Sequence, residues 1–187
     1  MANARKLDGI HFMLPTPFDS NGDLDCDSFS RLVGAARSAG CTGVVTLGVM
    51  GEAQRLLDKE RKPIVDAVVA AAGSDLTVTV GASAESNRTL SERIKHAQSA
   101  GATAVMIAPS KLAKPNSNAT YQYYASAQEV TNVPLVIQDL PDQTGVHLDP
   151  AFIAKLHREL PDAKYLKLED PPTPQKVTKV IDATQKS

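Results

Sequence analysis

Six short apolar runs recur about every thirty residues along the chain: His11 to Pro15, Gly43 to Gly48, Thr77 to Gly81, Ala104 to Ala108, Pro134 to Asp139 and Tyr165 to Leu168. Their Val, Leu and Ile positions are nearly continuous rather than alternating, as in parallel strands covered on both faces. Helical periodicity fills the intervals. Phe29, Leu32, Val33 and Ala36 form one stripe that stops at Gly40, and Ile64, Val65, Val68, Val69 and Ala72 form another that stops at Gly73. Both glycines stand where helices terminate. Thr89 to Glu92 has the spacing of a capping box ahead of Ile94 and Ala97, while Asp149-Pro150 and Thr173-Pro174 each put a capping side chain before a first-turn proline. A helix capped by Asp58 would hold Pro63 five residues inside and lose a backbone hydrogen bond, so that helix is expected to begin nearer Glu60. Ser110 to Asn118 reads as a loop.

The chain also echoes itself. Ser38-Ala39-Gly40-Cys41-Thr42-Gly43-Val44-Val45 resembles Ser99-Ala100-Gly101-Ala102-Thr103-Ala104-Val105-Met106, each copy reading as helix end, glycine cap and buried strand. Strand-helix alternation of this kind builds either an open doubly wound sheet or a closed (β/α)8 TIM barrel. Six units fit the open sheet by number. The first strand-helix junction carries Pro15-Thr16-Pro17-Phe18, with neither a Gly-x-Gly-x-x-Gly nor a Walker pattern, so a nucleotide-binding flavodoxin-like reading rests on the strand count alone. A complete barrel needs roughly 250 residues, which two further units would supply. The expected architecture is α/β, a single incomplete barrel domain over residues 1–187.

Composition narrows the function classes. A formal net charge of -1, from 20 Lys plus Arg against 21 Asp plus Glu, offers no electrostatic footprint for nucleic acid or an anionic membrane. No segment approaches the length of an apolar membrane span, and Met1 to Phe12 has no apolar stretch behind a basic start, so a cytoplasmic location is expected. Cys26 and Cys41 fit neither a disulfide framework nor a zinc site, the four histidines are scattered singly, and no metal is expected.

Lys167 carries the candidate chemistry. It lies in the apolar run Ala163-Lys164-Tyr165-Leu166-Lys167-Leu168-Glu169, on the sixth strand, and the C-terminal ends of such strands are where parallel β/α proteins place their active sites. It reads either as a strand lysine reaching solvent or as an amine able to form an imine with a carbonyl substrate. Asp139, Glu52 and Glu169 are the other ionisable candidates near strand ends. Asp139 follows Gln138 and points to the opposite strand face, Glu52 reads as a capping carboxylate, and Glu169-Asp170 reads as a solvated turn, although Glu169 and Tyr165 share the parity of Lys167.

Four motifs in order resemble the dihydrodipicolinate synthase and N-acetylneuraminate lyase family of class I, Schiff-base aldolases. They are Leu14-Pro15-Thr16-Pro17-Phe18, Leu47-Gly48-Val49-Met50-Gly51-Glu52, Pro141-Asp142-Gln143-Thr144-Gly145-Val146 and Lys167 itself. The resemblance spans essentially the whole chain and implies a (β/α)8 barrel, here apparently incomplete at its C-terminus. It implies a lyase in which a small-molecule 2-oxo acid such as pyruvate condenses with Lys167; no cofactor is expected, and the unpaired edges of an unclosed sheet lead to the expectation of a homo-oligomer. Gly48, Val49, Met50 and Gly51 would offer backbone N–H groups to the substrate carboxylate.

Departures from the family pattern qualify that expectation. Gln138 stands where the family has a proton-relaying tyrosine, Val49 and Met50 replace two threonines, and Gln143 replaces an arginine that clamps a second carboxylate. Lysine biosynthesis is therefore disfavoured. What remains is aldol cleavage or condensation, or dehydration of a 2-oxo-3-deoxy sugar acid, with Gln138 a further substrate-binding residue. The alternative is a catalytically inactive barrel fragment that assembles through exposed sheet edges.

Overall fold

The computed structural model describes residues 6–111 and 116–185. The first five residues of the Met1 to Phe12 segment and positions 112–115 of the expected loop lie outside it. In chain order the described elements are β1 (His11–Met13), α1 (Ser28–Ser38), β2 (Gly43–Thr46), α2 (Asp58–Ala72), β3 (Thr77–Gly81), α3 (Asn87–Ala100), β4 (Ala104–Ile107), α4 (Ser117–Gln128), β5 (Leu135–Asp139), α5 (Pro141–Thr144), α6 (Pro150–Glu159), β6 (Ala163–Leu168) and α7 (Thr173–Gln185). All six expected strands are present, in the sheet order β1-β2-β3-β4-β5-β6. That order is the one a β/α barrel requires.

The chain divides into two compact units. One runs up to Ala82 and includes His96–Val105; the other comprises Ser83–Lys95 and Met106 onward. In the first, β1, β2 and β3 pair in parallel, with His11 opposite Gly43 and Gly43 opposite Thr77. Every residue of β2 and β3 is buried, the polar Thr46, Thr77 and Thr79 included, as expected of strands covered on both faces. The stripe on α1 buries Phe29, Val33 and Ala36, and that on α2 buries Ile64, Val65, Val68 and Ala72. Each large aliphatic or aromatic side chain so buried contributes about 1.5–3 kcal/mol.

The internal echo is structural. Cys41 N–H donates to the Ala36 carbonyl and Ala102 N–H to the Ala97 carbonyl, both at 3.0 Å. Gly40 and Gly101 take φ of 80° and 102° between them, closing the same glycine-capped helix end twice.

In the second unit β5 and β6 pair in parallel, Val136 opposite Tyr165 and Gln138 opposite Lys167. Tyr124 is fully buried, and burial pushes its phenol well above the ordinary tyrosine value. Tyr123 is pushed to about 12 by the same cause, against the pull of a hydrogen bond to the Ala84 backbone.

Four helix starts differ from the sequence expectation. α2 begins at Asp58, not near Glu60, because the Glu60 carboxylate reaches back to accept from Leu57 N–H at 2.6 Å, which anchors the first turn despite Pro63. α3 begins at Asn87, where the Ser86 hydroxyl oxygen accepts from Thr89 N–H at 3.1 Å and displaces the Thr89–Glu92 box by one turn. Ser117 and Asn118 belong to α4, whose cap is Asn116, accepting from Ala119 N–H at 2.9 Å. α7 starts at Thr173 itself, one residue early. Asp149 caps α6 as expected, accepting from Ala151 N–H at 2.8 Å, and Pro150 is the first helical residue.

Candidate active site

In the first unit, β2 ends in the segment Leu47 to Glu52. Both flanking residues are left-handed, Leu47 at φ 56° and Glu52 at φ 51°. Non-glycine residues in that region carry strain of about 1–3 kcal/mol each and persist only where the surroundings over-determine them. The surroundings here do so. Thr16 Oγ1 donates to the Gly51 carbonyl at 2.6 Å, the buried Arg61 guanidinium donates to Ala53 and Gly81 carbonyls at 2.9 Å each, and Leu47 packs so close to Gly81 that a Cβ there would sit 2.0 Å from the Leu47 oxygen.

Within the loop, Gly51 N–H donates to the Gly48 carbonyl and Glu52 N–H to the Val49 carbonyl. The N–H groups of Val49 and Met50 have no partner among the described residues, and both side chains are exposed. A pair of free, rigidly held backbone donors is a place for a carboxylate. Glu52 does not cap α2; its carboxylate accepts from Arg55 at 2.8 Å.

In the second unit, the register that sets Gln138 beside Lys167 puts both side chains on one face of the sheet, with Tyr165 two residues earlier on β6. Gln138 is only 4% exposed. Lys167 and Glu169 are 29% and 32% exposed, and Lys167 Nζ lies 2.8 Å from Glu169 Oε2. The same Oε2 accepts from Gln138 Nε2 at 2.9 Å. Glu169 N–H donates to the Asp139 carbonyl at 2.9 Å, which carries the β5-β6 ladder one residue past the strand and fixes the carboxylate beside the lysine. The solvated-turn expectation for Glu169 is thus corrected: the extended ladder keeps its inward parity.

The opposite face of β5 carries a second charge cluster. Asp139 is fully buried, and Lys176 of α7 places Nζ 2.6 Å from its Oδ2 and 2.7 Å from Asp170 Oδ2. Burial raises the Asp139 carboxyl above its ordinary value, although Lys176 pulls the other way. Asp170 is lowered, chiefly by the hydrogen bond from Lys176. Lys176 is raised: burial opposes its charge, but hydrogen bonds to the two carboxylates outweigh that. His147 Nδ1 stands 3.5 Å from Asp170. Asp139 is therefore an anchor for α7 rather than a group facing Lys167, and Asp170 is half-buried and paired with Lys176 rather than freely solvated.

Lys176 was not legible as a partner because it lies far along the chain on another element; the one signal was an aspartate after Gln138 at the end of a strand that begins apolar. Among the described residues no group of three or more His, Cys, Asp or Glu could hold a metal ion, and no helix is long and apolar enough to cross a membrane.

A family model described as the dihydrodipicolinate synthetase family matches residues 6–167. The chain is 32% identical over 148 residues to the 4-hydroxy-tetrahydrodipicolinate synthase of Methanothrix thermoacetophila, covering 79% of this chain and 50% of that protein. Among solved structures it is similar to dihydrodipicolinate synthase from Rhodopseudomonas palustris, with 30% identity and a TM-score of 0.87 over 95% of this chain and 59% of that one. It is also similar to the chloride-inhibited enzyme of Acinetobacter baumannii complexed with pyruvate, with 27% identity and a TM-score of 0.88 over 96% and 61% of the two chains. The chain thus spans about half to three-fifths of the length of these relatives.

Proposed function

Since the chain belongs to the dihydrodipicolinate synthetase family, we propose that it is a lyase acting on a 2-oxo acid, pyruvate or a 2-oxo-3-deoxy sugar acid, through an imine on Lys167. The observation that carries this reading is the setting of Lys167: an amine near the C-terminal end of a parallel strand, partly withdrawn from solvent, held in place by Glu169 and flanked by Gln138. The imine withdraws electrons from the neighbouring carbon and so promotes aldol cleavage, condensation or dehydration. Gln138, across the strand pair from Lys167, offers its amide to a substrate oxygen, and in the first unit the N–H groups of Val49 and Met50, framed by Gly48 and Gly51, are suited to a carboxylate. The pyruvate bound to the Acinetobacter relative supports the substrate class. The exposed Gln143, without a charge to pair a second carboxylate, favours dehydration over capture of a dicarboxylic aldehyde. The test is borohydride reduction in the presence of pyruvate, read by intact mass. The reading expects one pyruvyl adduct in the native chain and none in Lys167→Ala; an adduct that survives the substitution removes it.

A second reading, assembly through exposed edges, is favoured by β6 and α7. Beyond Ala163, β6 is only half-buried or exposed, no residue of α7 is buried, and Val177 and Ile181 are exposed. Such a surface supports a homo-oligomer. Light scattering decides it: a monomer at all concentrations excludes this reading, while an inactive oligomer would favour it over catalysis.

A further inference from the structure

We infer that Glu169 is the proton-transferring catalytic residue of the imine chemistry; this deepens the Lys167 reading and rests on it. Two facts in the second unit carry it. Glu169 Oε2 is in direct contact with the reacting nitrogen, at 2.8 Å from Lys167 Nζ. The neighbour across the strand pair, Gln138, cannot ionise; it donates to the same oxygen at 2.9 Å and holds the carboxylate in place. Glu169 Oε1 has no partner among the described residues, so one oxygen is engaged and the other is open to a proton, a water or a substrate hydroxyl. The backbone hydrogen bond from Glu169 N–H to the Asp139 carbonyl fixes the geometry from beneath.

Lys167 begins as an ammonium and gives one proton to the Glu169 carboxylate, which leaves a neutral amine beside a neutral acid. The amine lone pair attacks the substrate's C2 carbonyl carbon. As the C–N bond forms, the carbonyl π pair moves to oxygen, and that oxygen takes a proton from nitrogen, giving a neutral carbinolamine. Glu169 then returns its proton to the carbinolamine hydroxyl. The C–O bond breaks, water leaves, and the nitrogen lone pair closes the C=N bond as an iminium. The positive charge stays on nitrogen, two hydrogens leave with the oxygen as water, and Glu169 ends as a carboxylate beside the iminium. Nothing is oxidised or reduced.

A carboxylate that only fixed the lysine's position would leave the proton steps to solvent, and kinetics separates the two roles. The full chain is mixed with pyruvate, quenched with borohydride at timed intervals, and the adduct quantified by mass across pH 5 to 9. Glu169→Gln keeps the hydrogen-bonding shape without the proton. It is expected to reach the same Lys167 adduct on the order of a hundredfold more slowly at neutral pH, with the deficit shrinking as hydroxide takes over at high pH. Glu169→Asp should fall between, and Glu169→Gly should regain rate with added formate. These two variants decide the matter if Glu169→Gln does not fold. A folded Glu169→Gln as fast as the native chain at every pH, or a folded slow Glu169→Gly that formate does not quicken, overturns the role of Glu169 and leaves the Lys167 reading standing. Absence of a Lys167 adduct in the native chain overturns both.

Discussion

Replacing Lys176 by methionine removes the only cation within 4 Å of the Asp139 carboxylate among the described residues, while the isosteric stem keeps most of the packing. Asp139 is 0% exposed and the Lys176 side chain 11%, so neither charge is well solvated. Removing one partner of such a pair costs about 3–5 kcal/mol, more than the pair itself contributes, because the other charge is left stranded. Asp139 has an escape: it can bind a proton. From an ordinary carboxyl value of 3.8, neutralisation at pH 7 costs about 4 kcal/mol at about 1.4 kcal/mol per pH unit, which sets the ceiling.

The expected loss is therefore about 3–4 kcal/mol at pH 7, or roughly 6–16 °C in Tm for a chain of this size. In the variant the native state holds a proton on Asp139 that the unfolded state lacks. Stability must then rise as pH falls, by up to about 1.4 kcal/mol per unit, until the unfolded carboxyl also protonates. Urea unfolding followed by circular dichroism at pH 7 and pH 5 measures both. A deficit below about 1 kcal/mol that does not change between the two pH values would mean that losing Lys176 leaves no stranded charge on Asp139. Pairing Lys176→Met with Asp139→Leu should recover most of the loss, since a buried ion pair replaced on both sides by apolar groups is close to neutral.

Three further outcomes are expected. Gly81→Ala should destabilise the chain by more than about 2 kcal/mol, because its Cβ would meet the Leu47 carbonyl oxygen at 2.0 Å on a buried strand that cannot retreat; thermal unfolding checks this. In an alkaline spectrophotometric titration Tyr123 should ionise only near pH 12, and Tyr124 only with unfolding. Their contribution to stability is present below the ordinary value of 10.0 and lost as pH rises through the raised one, so ionisation of Tyr123 and Tyr124 near 10 in the folded chain would contradict the burial argument. Lowering pH through the carboxylate range should weaken the native chain through Asp170, whose lowered value makes its contribution present above 3.8 and lost as the group protonates. Asp170→Asn should flatten that acid limb in urea titrations at pH 3 to 6.

Hydrophobic patterning carried the architecture because short apolar runs recurring at a regular interval mark strands covered on both faces, and local chemistry seldom disturbs that spacing. Glu169 and Tyr165 could be put on the face of Lys167, and Asp139 on the face away from Gln138, since the alternation of a strand is set by geometry alone; that Gln138 stands beside Lys167 follows only from the β5-β6 register. Helix starts were less legible where two neighbouring residues could cap: Ser86 and Thr89 compete within one turn, and the winner depends on how the preceding loop enters the helix. The left-handed Leu47 and Glu52 left no trace in composition, because their conformation is imposed by Thr16, Arg61 and the approach to Gly81 rather than by their own preferences. The ladder beyond β6 was hidden for a related reason. Asp170 and the prolines at 171 and 172 advertise a turn, but the turn begins one residue after Glu169 has already made its hydrogen bond to Asp139.

Whether Lys167 captures a 2-oxo acid as an imine is decided by peptide mass mapping of the borohydride-reduced pyruvate adduct. The pyruvyl mass is expected on the peptide containing Lys167. An adduct distributed over surface lysines, or located on Lys176 or Lys164 instead, would contradict it.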